Sequence, residues 1–286
     1  MKTIRKNEPI KNHTSIRIGG NAGLFFIPDS EEEVAALFDE NNNALLLGGG
    51  TNMLVSDEGV PVVISMKGMC EFESTQLEDG AVEVTVGSGY GFTALARKVS
   101  RLGLKGMEFA FGIPGTVGGA VVMNAGANGK EVKDVLSRVR LLVNNRYETV
   151  DAKDLSLSYR ESSLPKGAVI IAASFVLERG IEKEIKETMM ALYEKRKNSQ
   201  PLNYPSAGSI FKNPPGEYAG KIIEELGFKG EKVGDAMVSE KHANFIINLG
   251  NATAAQVMEL IRKVETTVKE KRGISLQREI ITAGNI

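Results

Sequence analysis

The chain has 286 residues, enough for one large domain or two of ordinary size. Its formal net charge of -1, with 25% charged and 42% hydrophobic residues, is ordinary for a globular protein and excludes a global basic field for nucleic acid. No apolar run approaches the ~20 residues that span a bilayer, and the N-terminal segment to Glu8 lacks the apolar stretch of a secretory signal, so no membrane association and a cytoplasmic location are expected.

The single cysteine, Cys70, excludes an intrachain disulfide and fits a reducing compartment. Two histidines, His13 and His242, with no HExxH or CxxC spacing, give no expected metal site. The 31 glycines are clustered, which marks places where backbone must approach something closely.

In chain order, Asn12–Gly20 alternates and then breaks at two glycines, which predicts a short strand entering a turn. Ser30 and Glu33 have capping-box spacing ahead of a helix with Val34, Leu37 and Phe38 on one face. Ala44–Leu47 predicts a short buried strand that runs into Gly48, Gly49, Gly50, Thr51 and Asn52. A strand followed by three glycines offers a concave set of N–H groups able to hold a phosphate, with a flexible turn as the alternative. It is neither a Walker loop, because the lysine is missing, nor GxGxxG.

Further strands are predicted at Val62–Ser65 and Val82–Val86, the second ending at Gly87-Ser-Gly89. An amphipathic helix is predicted over Phe92–Leu102, closed by Gly103. The second glycine-rich stretch, Phe111–Gly126, has no helical or strand period and suits either a wall for an extended ligand or a buried connection. Val135–Val143 and Tyr147–Val150 flank Asn144-Asn145 as a hairpin. Arg160 follows Ser156–Tyr159, and a strand is predicted over Ala168–Leu177.

A charged helix carrying Ile181, Ile185, Met189 and Leu192 leads into a second part. There, helices over Tyr218–Leu226 and Ala254–Lys271 and strands over Asn244–Asn248 and Ser275–Ile281 predict an α+β domain. The stretch Tyr204–Pro214 places Ser209 beside Gly208, and period-2 alternation sends Ser209 and Phe211 to one face and Ile210 and Lys212 to the other. On its own this stretch is equally an edge strand between loops.

These residues, taken in order, resemble the MurB family of UDP-N-acetylenolpyruvoylglucosamine reductases. The resemblance covers nearly the whole chain. It rests on Thr14–Gly20, Gly48–Leu54, Gly112–Gly119, Asn124-Ala-Gly126, Tyr159-Arg160, Ala207–Pro214, His242–Ile246 and Glu279. It implies an FAD-binding domain of the vanillyl-alcohol-oxidase (PCMH) type over residues 1–180, in two subdomains. A smaller α+β substrate-binding domain is implied over residues 181–286.

The implied reaction is NADPH-dependent reduction of UDP-N-acetylglucosamine enolpyruvate to UDP-N-acetylmuramate through non-covalent FAD, in peptidoglycan precursor synthesis. Gly48, Gly49, Gly50, Thr51, Asn52, Gly115, Thr116, Gly118, Gly119, Asn124 and Gly126 match the cofactor-binding positions. Arg160 matches the arginine facing the substrate carboxylate and Ser209 the proton donor. Glu279 matches the glutamate near the same group, where it would have to be protonated in a dry site. Lys212, Asn213 and His242 lie in matching motifs, as diphosphate or sugar contacts or as packing residues.

The implied partner is a UDP-sugar, with no obligate protein partner. The chain looks like the shorter branch of the family, without the inserted tyrosine loop. Arg196 and Gln200 are candidates to close over the nucleotide in its place. Two other readings are an FAD oxidase, for which neither histidine lies in a glycine-rich loop, and a non-catalytic nucleotide binder, which has no need of a proton donor.

Overall fold

The computed structural model describes residues 3–286; Met1 and Lys2, the start of the segment read for a signal, lie outside the described residues. The chain is α+β and divides into two compact units that interleave along the sequence. The first takes Phe26–Gly49 and Ile64–Arg196 with the described start of the chain to Ile4; the second takes Arg5–Phe25, Gly50–Val63 and Lys197–Ile286. Strands Thr3–Pro9, Asn21–Ile27, Val60–Ser65 and Leu45–Leu47 form a four-stranded sheet in that order.

In the first unit, helix α1 (Glu31–Glu40) starts where the sequence marks it. Ser30 Oγ accepts from Glu33 N at 3.3 Å, and Val34 and Leu37 are fully buried. The reciprocal half of the box shifts by one residue: the Glu33 carboxylate accepts from Asp29 N. An antiparallel sheet runs Arg146–Asp151, Leu136–Val143, Val169–Arg179, Val82–Gly87, Phe72–Gln76. The first two strands are joined by Asn144-Asn145, both at positive φ, as a tight hairpin requires.

Helix α2 (Phe92–Arg101) buries Phe92, Leu95, Ala96 and Val99 in the core of this unit and ends at Gly103, φ +67°. The second glycine-rich stretch contains a six-residue helix, α3 (Val117–Val122), which its spacing did not reveal. Gly118 packs closely on Ser88 and Gly119 bears no side chain, so no apolar period forms. Helix α4 (Glu182–Ser199) buries only Ile185 and Met189.

The second unit holds an antiparallel sheet in the order Ser206–Ser209, Phe245–Asn248, Ala236–Val238, Lys232–Val233. Against its own core lie helices α5 (Ala219–Glu225) and α6 (Ala254–Arg272). Helix α6 has a full capping box between Thr253 and Gln256 and turns Val257, Leu260, Ile261, Val264 and Val268 inward. Each fully buried side chain of this size is worth roughly 1.5–3 kcal/mol. Gly273, φ +69°, closes the helix.

Three strand expectations differ from the structure. The segment Asn12–Gly20 is not a strand. Arg17 sits at φ +57°, and Thr14 closes a local turn with its hydroxyl on Ile18 O at 2.9 Å. The alternation is nevertheless a burial pattern, because Ile16 and Ile18 enter the core of the second unit.

The last strand is Ile281–Ala283, parallel to Met53–Val55, so Glu279 precedes it. Near the serine motif, Gly208 at φ +79° breaks the register between Ser206 and Ser209. Ile210 and Phe211 are consequently both buried, and simple alternation does not extend from Ser209 to Lys212.

Candidate active site

In the first unit the two glycine-rich stretches meet backbone to backbone. A Cβ on Gly49 would lie 2.6 Å from Gly115 Cα, and one on Gly48 2.6 Å from Thr116 Oγ1. Gly115 O accepts from Phe92 N at 3.0 Å, while Val117 N donates to Tyr90 O and Gly118 N to Ser88 O, each at 2.8 Å. These bonds fix the loop before α3 against the end of the Val82–Gly87 strand.

Gly119 differs from its neighbours. It is exposed, and a Cβ there meets nothing nearer than Thr116 Oγ1 at 3.8 Å. The hydroxyls of Thr116 and Ser88 are buried without a hydrogen-bond partner. A buried hydroxyl left unpaired costs roughly 1–3 kcal/mol. The cradle therefore presents two unspent hydroxyls and an open glycine face. Ser88 is a candidate that the sequence reading passed over, although Gly87-Ser-Gly89 at a strand end is its signal.

Asn124 is fully buried at φ +37°. Its Nδ2 donates to Glu131 Oε2 (3.0 Å) and to Ser158 O (2.9 Å), and its Oδ1 accepts from Lys133 N (3.0 Å). The side chain is thus engaged with the protein itself. Ser158 ends one arm of a hairpin, Leu157–Ser158 with Glu161–Ser162, whose turn is Tyr159-Arg160.

Arg160 lies at φ +57°, donates from Nη2 to Gly126 O at 3.1 Å and packs 5.2 Å from the Tyr159 ring. A Cβ on Gly126 would meet Lys130 O at 2.5 Å, so glycine is needed to bring this carbonyl into place. Arg196 is close enough to Arg160 to feel its charge; burial first, and that like charge second, lower the Arg196 pKa. Two guanidiniums in one neighbourhood make a place for an anion.

The second unit holds Gly50, Thr51 and Asn52 together with Ser209 and Glu279. A Cβ on Gly50, φ +64°, would be 2.1 Å from His13 O, so only glycine fits. The segment Gln277–Ile280 runs beside the serine motif. Lys212 N donates to Gln277 O and Glu279 N to Ile210 O, both at 2.8 Å, and Phe211 bridges Arg278.

Ser209 and Glu279, 70 positions apart in sequence, are thereby held on adjacent backbones. Asn52 Nδ2 donates to Glu279 O at 2.9 Å, tying the third glycine's loop to the same residue. Asn244, quoted only as part of a motif, pins Phe211 from both sides: its Oδ1 accepts from Phe211 N at 3.0 Å and its Nδ2 donates to Phe211 O at 2.8 Å.

A cavity of about 300 Å³ opens here, lined by Ser209, Asn213, Tyr218, Lys221, Lys241 and His242 among others. Asn213 also accepts from Ala219 N at 3.0 Å, which holds the start of α5. His242 Nδ1 accepts from Asn244 N at 3.3 Å, an arrangement that requires that nitrogen to be unprotonated. Burial, and then the charge of Lys229, lower the His242 pKa, against a weaker pull from Glu224. Two lysines, Lys221 and Lys241, against one carboxylate, Glu224, leave the cavity lining with a net positive charge, which suits an anionic ligand.

The depressed pKa has a consequence for stability. The unfolded chain binds a proton at His242 more readily than the folded one, so stability falls as pH drops below the unfolded value of about 6.5. Urea unfolding at a series of pH values should show that slope, and His242→Gln should flatten it; an unchanged slope would contradict the neutral imidazole.

No helix among the described residues is long and apolar enough to cross a membrane, and no cluster of three or more potential metal-binding side chains occurs among them.

Two family models match the chain: "FAD binding domain" over residues 22–146 and "UDP-N-acetylenolpyruvoylglucosamine reductase, C-terminal domain" over residues 200–283. The UDP-N-acetylenolpyruvoylglucosamine reductase of Lachnoclostridium phytofermentans is 45% identical, across 97% of this chain and 92% of that one. The protein of the same name from Caldanaerobacter subterraneus is also 45% identical, across 97% and 93%. The crystal structure of UDP-N-acetylenolpyruvylglucosamine reductase (MurB) from Thermus caldophilus matches with a TM-score of 0.82 at 35% identity, covering 99% of this chain and 98% of that one.

Proposed function

The chain belongs to the UDP-N-acetylenolpyruvoylglucosamine reductase family, and from that membership we propose that it reduces the enolpyruvyl group of UDP-N-acetylglucosamine enolpyruvate to UDP-N-acetylmuramate, a step of peptidoglycan precursor synthesis. NADPH is the hydride donor in this reading, and FAD is held without a covalent bond. Cofactor binding is assigned to residues 1–180 and substrate binding to 181–286. The matched ranges 22–146 and 200–283 fall within those limits. The observation that carries the reading is the pairing of Glu279 N with Ile210 O, which holds a carboxyl group and the Ser209 hydroxyl on neighbouring backbones beside a cationic cavity.

The first unit's cradle fits a dinucleotide cofactor. Thr116 and Ser88 offer unpaired hydroxyls, and Gly119 leaves its face open to a diphosphate. Gly48, Gly49, Gly115 and Gly118 supply the close backbone packing that shapes this surface, and Asn124 and Gly126 support it, while Thr51 and Asn52 are assigned to the cofactor from the family match. The chemistry supplied by bound FAD is relay of a hydride from NADPH to the β-carbon of the enol ether. That step leaves negative charge on the α-carbon and its carboxylate, and one proton must reach the α-carbon.

Ser209 donates that proton and regains one from solvent. Arg160 holds the carboxylate, where a guanidinium binds two oxygens at once and gains strength as charge develops. Glu279, in its protonated form, hydrogen-bonds the same group. Lys212, Asn213 and His242 contact the diphosphate or the sugar of the UDP-sugar.

The reaction is tested by anaerobic reduction of the purified protein with NADPH followed by addition of the enolpyruvyl nucleotide. Return of the oxidised flavin spectrum without oxygen is the expected result; its absence would overturn the assignment. The protein should purify yellow and release FAD on denaturation. Gly119→Val is the informative cofactor variant, because a Cβ at Gly119 has room while one at Gly49 would strike Gly115. It should keep the wild-type melting behaviour of the apo-protein and lose FAD affinity by at least about 10-fold, one clash being worth over 1.4 kcal/mol. Unchanged flavin affinity would remove the cofactor from this face.

A further inference from the structure

The segment that carries Glu279 is held mainly by backbone hydrogen bonds, to Ile210, Lys212 and Asn52, and little by buried side chains. Between the end of α6 at Arg272 and the strand at Ile281 there is no regular secondary structure, only the isolated bridge of Arg278 with Phe211. Of Ile274 to Glu279, no side chain is buried; Ile274 and Leu276 pack partly on the core. A segment with few buried contacts opens locally at low cost. Yet its backbone sets the position of Glu279 relative to Ser209.

One side-chain pair ties this segment to helix α6 as well. Arg278 Nε donates to Glu265 Oε1 at 2.6 Å, and Nη2 donates to Glu265 Oε2 at 2.7 Å. This is the two-pronged arginine–carboxylate geometry, which fixes direction as well as distance. Glu265 stands on α6 next to the buried Val264, so its backbone is held by the core.

We propose that the Glu265–Arg278 pair is a positioning device for catalysis: by clamping Arg278 to α6 it sets the backbone that carries Glu279 against Ser209. The pair itself touches no reacting atom. Its two side chains are 26% and 35% exposed, so solvent weakens its contribution to global stability while its geometric constraint persists. The clamp acts with Asn52, whose Nδ2 donates to the Glu279 carbonyl. The inference rests on the proposed role of Glu279.

The test uses the full holoprotein and five variants: Glu265→Gln, Arg278→Met, the two combined, Arg278→Lys, and Glu279→Gln as reference. Glu265→Gln and Arg278→Met should each slow single-turnover oxidation of reduced flavin by the enolpyruvyl nucleotide by roughly 10-fold, within the range expected for misplacement of a group in the site. Flavin reduction by NADPH and the melting temperature should stay near wild type. The double variant should be no slower than the slower single one, because both changes break one unit. Arg278→Lys should recover less than half of the lost rate, since a single-point cation does not reproduce the fork.

Equal slowing of both half-reactions, or losses that multiply in the double variant, would overturn the proposal. If Glu279→Gln is slow while Glu265→Gln is as fast as wild type, the clamp is wrong and the role of Glu279 stands. If Glu279→Gln is itself as fast as wild type, the role of Glu279 falls and the clamp with it.

Discussion

Replacing Ser209 with alanine is expected to slow transfer from reduced flavin to the enolpyruvyl group by about 10²–10⁴-fold, the usual worth of a positioned general acid. FAD binding and reduction by NADPH should remain near normal, because neither needs a proton delivered to carbon. The substitution is mild for the fold. Ser209 is the last residue of its strand and only partly buried, while Ile210 and Phe211 carry the packing and Asn244 holds Phe211 by two hydrogen bonds.

Serine is a weak acid, so its surroundings must favour loss of the proton. Lys221, Lys241 and the neutral His242 line the same cavity, which supplies positive potential without Lys212 having to share a strand face with Ser209. Ser209→Cys should restore part of the rate, since a thiol also donates. In deuterated water the wild type should place deuterium on one face of the α-carbon. Single-turnover reoxidation is the measurement. A Ser209→Ala protein that reoxidises at the wild-type rate would reduce Ser209 to a binding or packing residue.

Arg160→Ala should cost about 10²–10³-fold in the same half-reaction, by analogy with the loss of one oxyanion donor. The loss belongs in turnover, because the charge it meets exists only after the hydride arrives. The backbone is not the confounding element. Alanine and arginine both carry a Cβ, so the strain of φ +57° is shared by the two proteins. Asn124 still grips Ser158 O beside the turn in either case. Arg160→Lys should recover little, since an ammonium lacks the fork and would contact Gly126 O differently. Stopped-flow traces in which flavin reduction by NADPH is slowed as much as reoxidation would contradict this role.

The sequence by itself determined the parts of the molecule whose cause is local. Ser30 marks a helix start because a side-chain oxygen three residues from an amide caps it without help from elsewhere. Asn144-Asn145 marks a hairpin because asparagine accepts the left-handed backbone that a tight turn imposes. Gly103 and Gly273 mark helix ends for the same reason. The periodicity of α6 named its buried face, that of α2 marked an amphipathic helix, and the order of the motifs named the family.

Tertiary structure decided what depends on a distant partner. The glycines at 48, 49 and 50 are the plainest case. Their sequence announces close approach, but what approaches is Thr116, Gly115 and His13 O respectively, and it leaves Gly119 with the open face. Helix α3 was invisible because glycines interrupt the apolar spacing by which helices are found.

The alternation through Ser209 failed at one residue, since a bulge at Gly208 resets which side chains turn inward. The strand foreseen around Glu279 exists only as a bridge, because its neighbours Ile210–Lys212 offer three irregular contacts rather than a ladder. That Ser209 and Glu279 adjoin, that Asn52 and Arg278 hold the second of them, and that Asn124 supports the turn of Arg160 all follow from backbone carbonyls and amides meeting across long sequence gaps. Such meetings leave no period, cap or turn signal in the chain; they exist only once the two cores have formed.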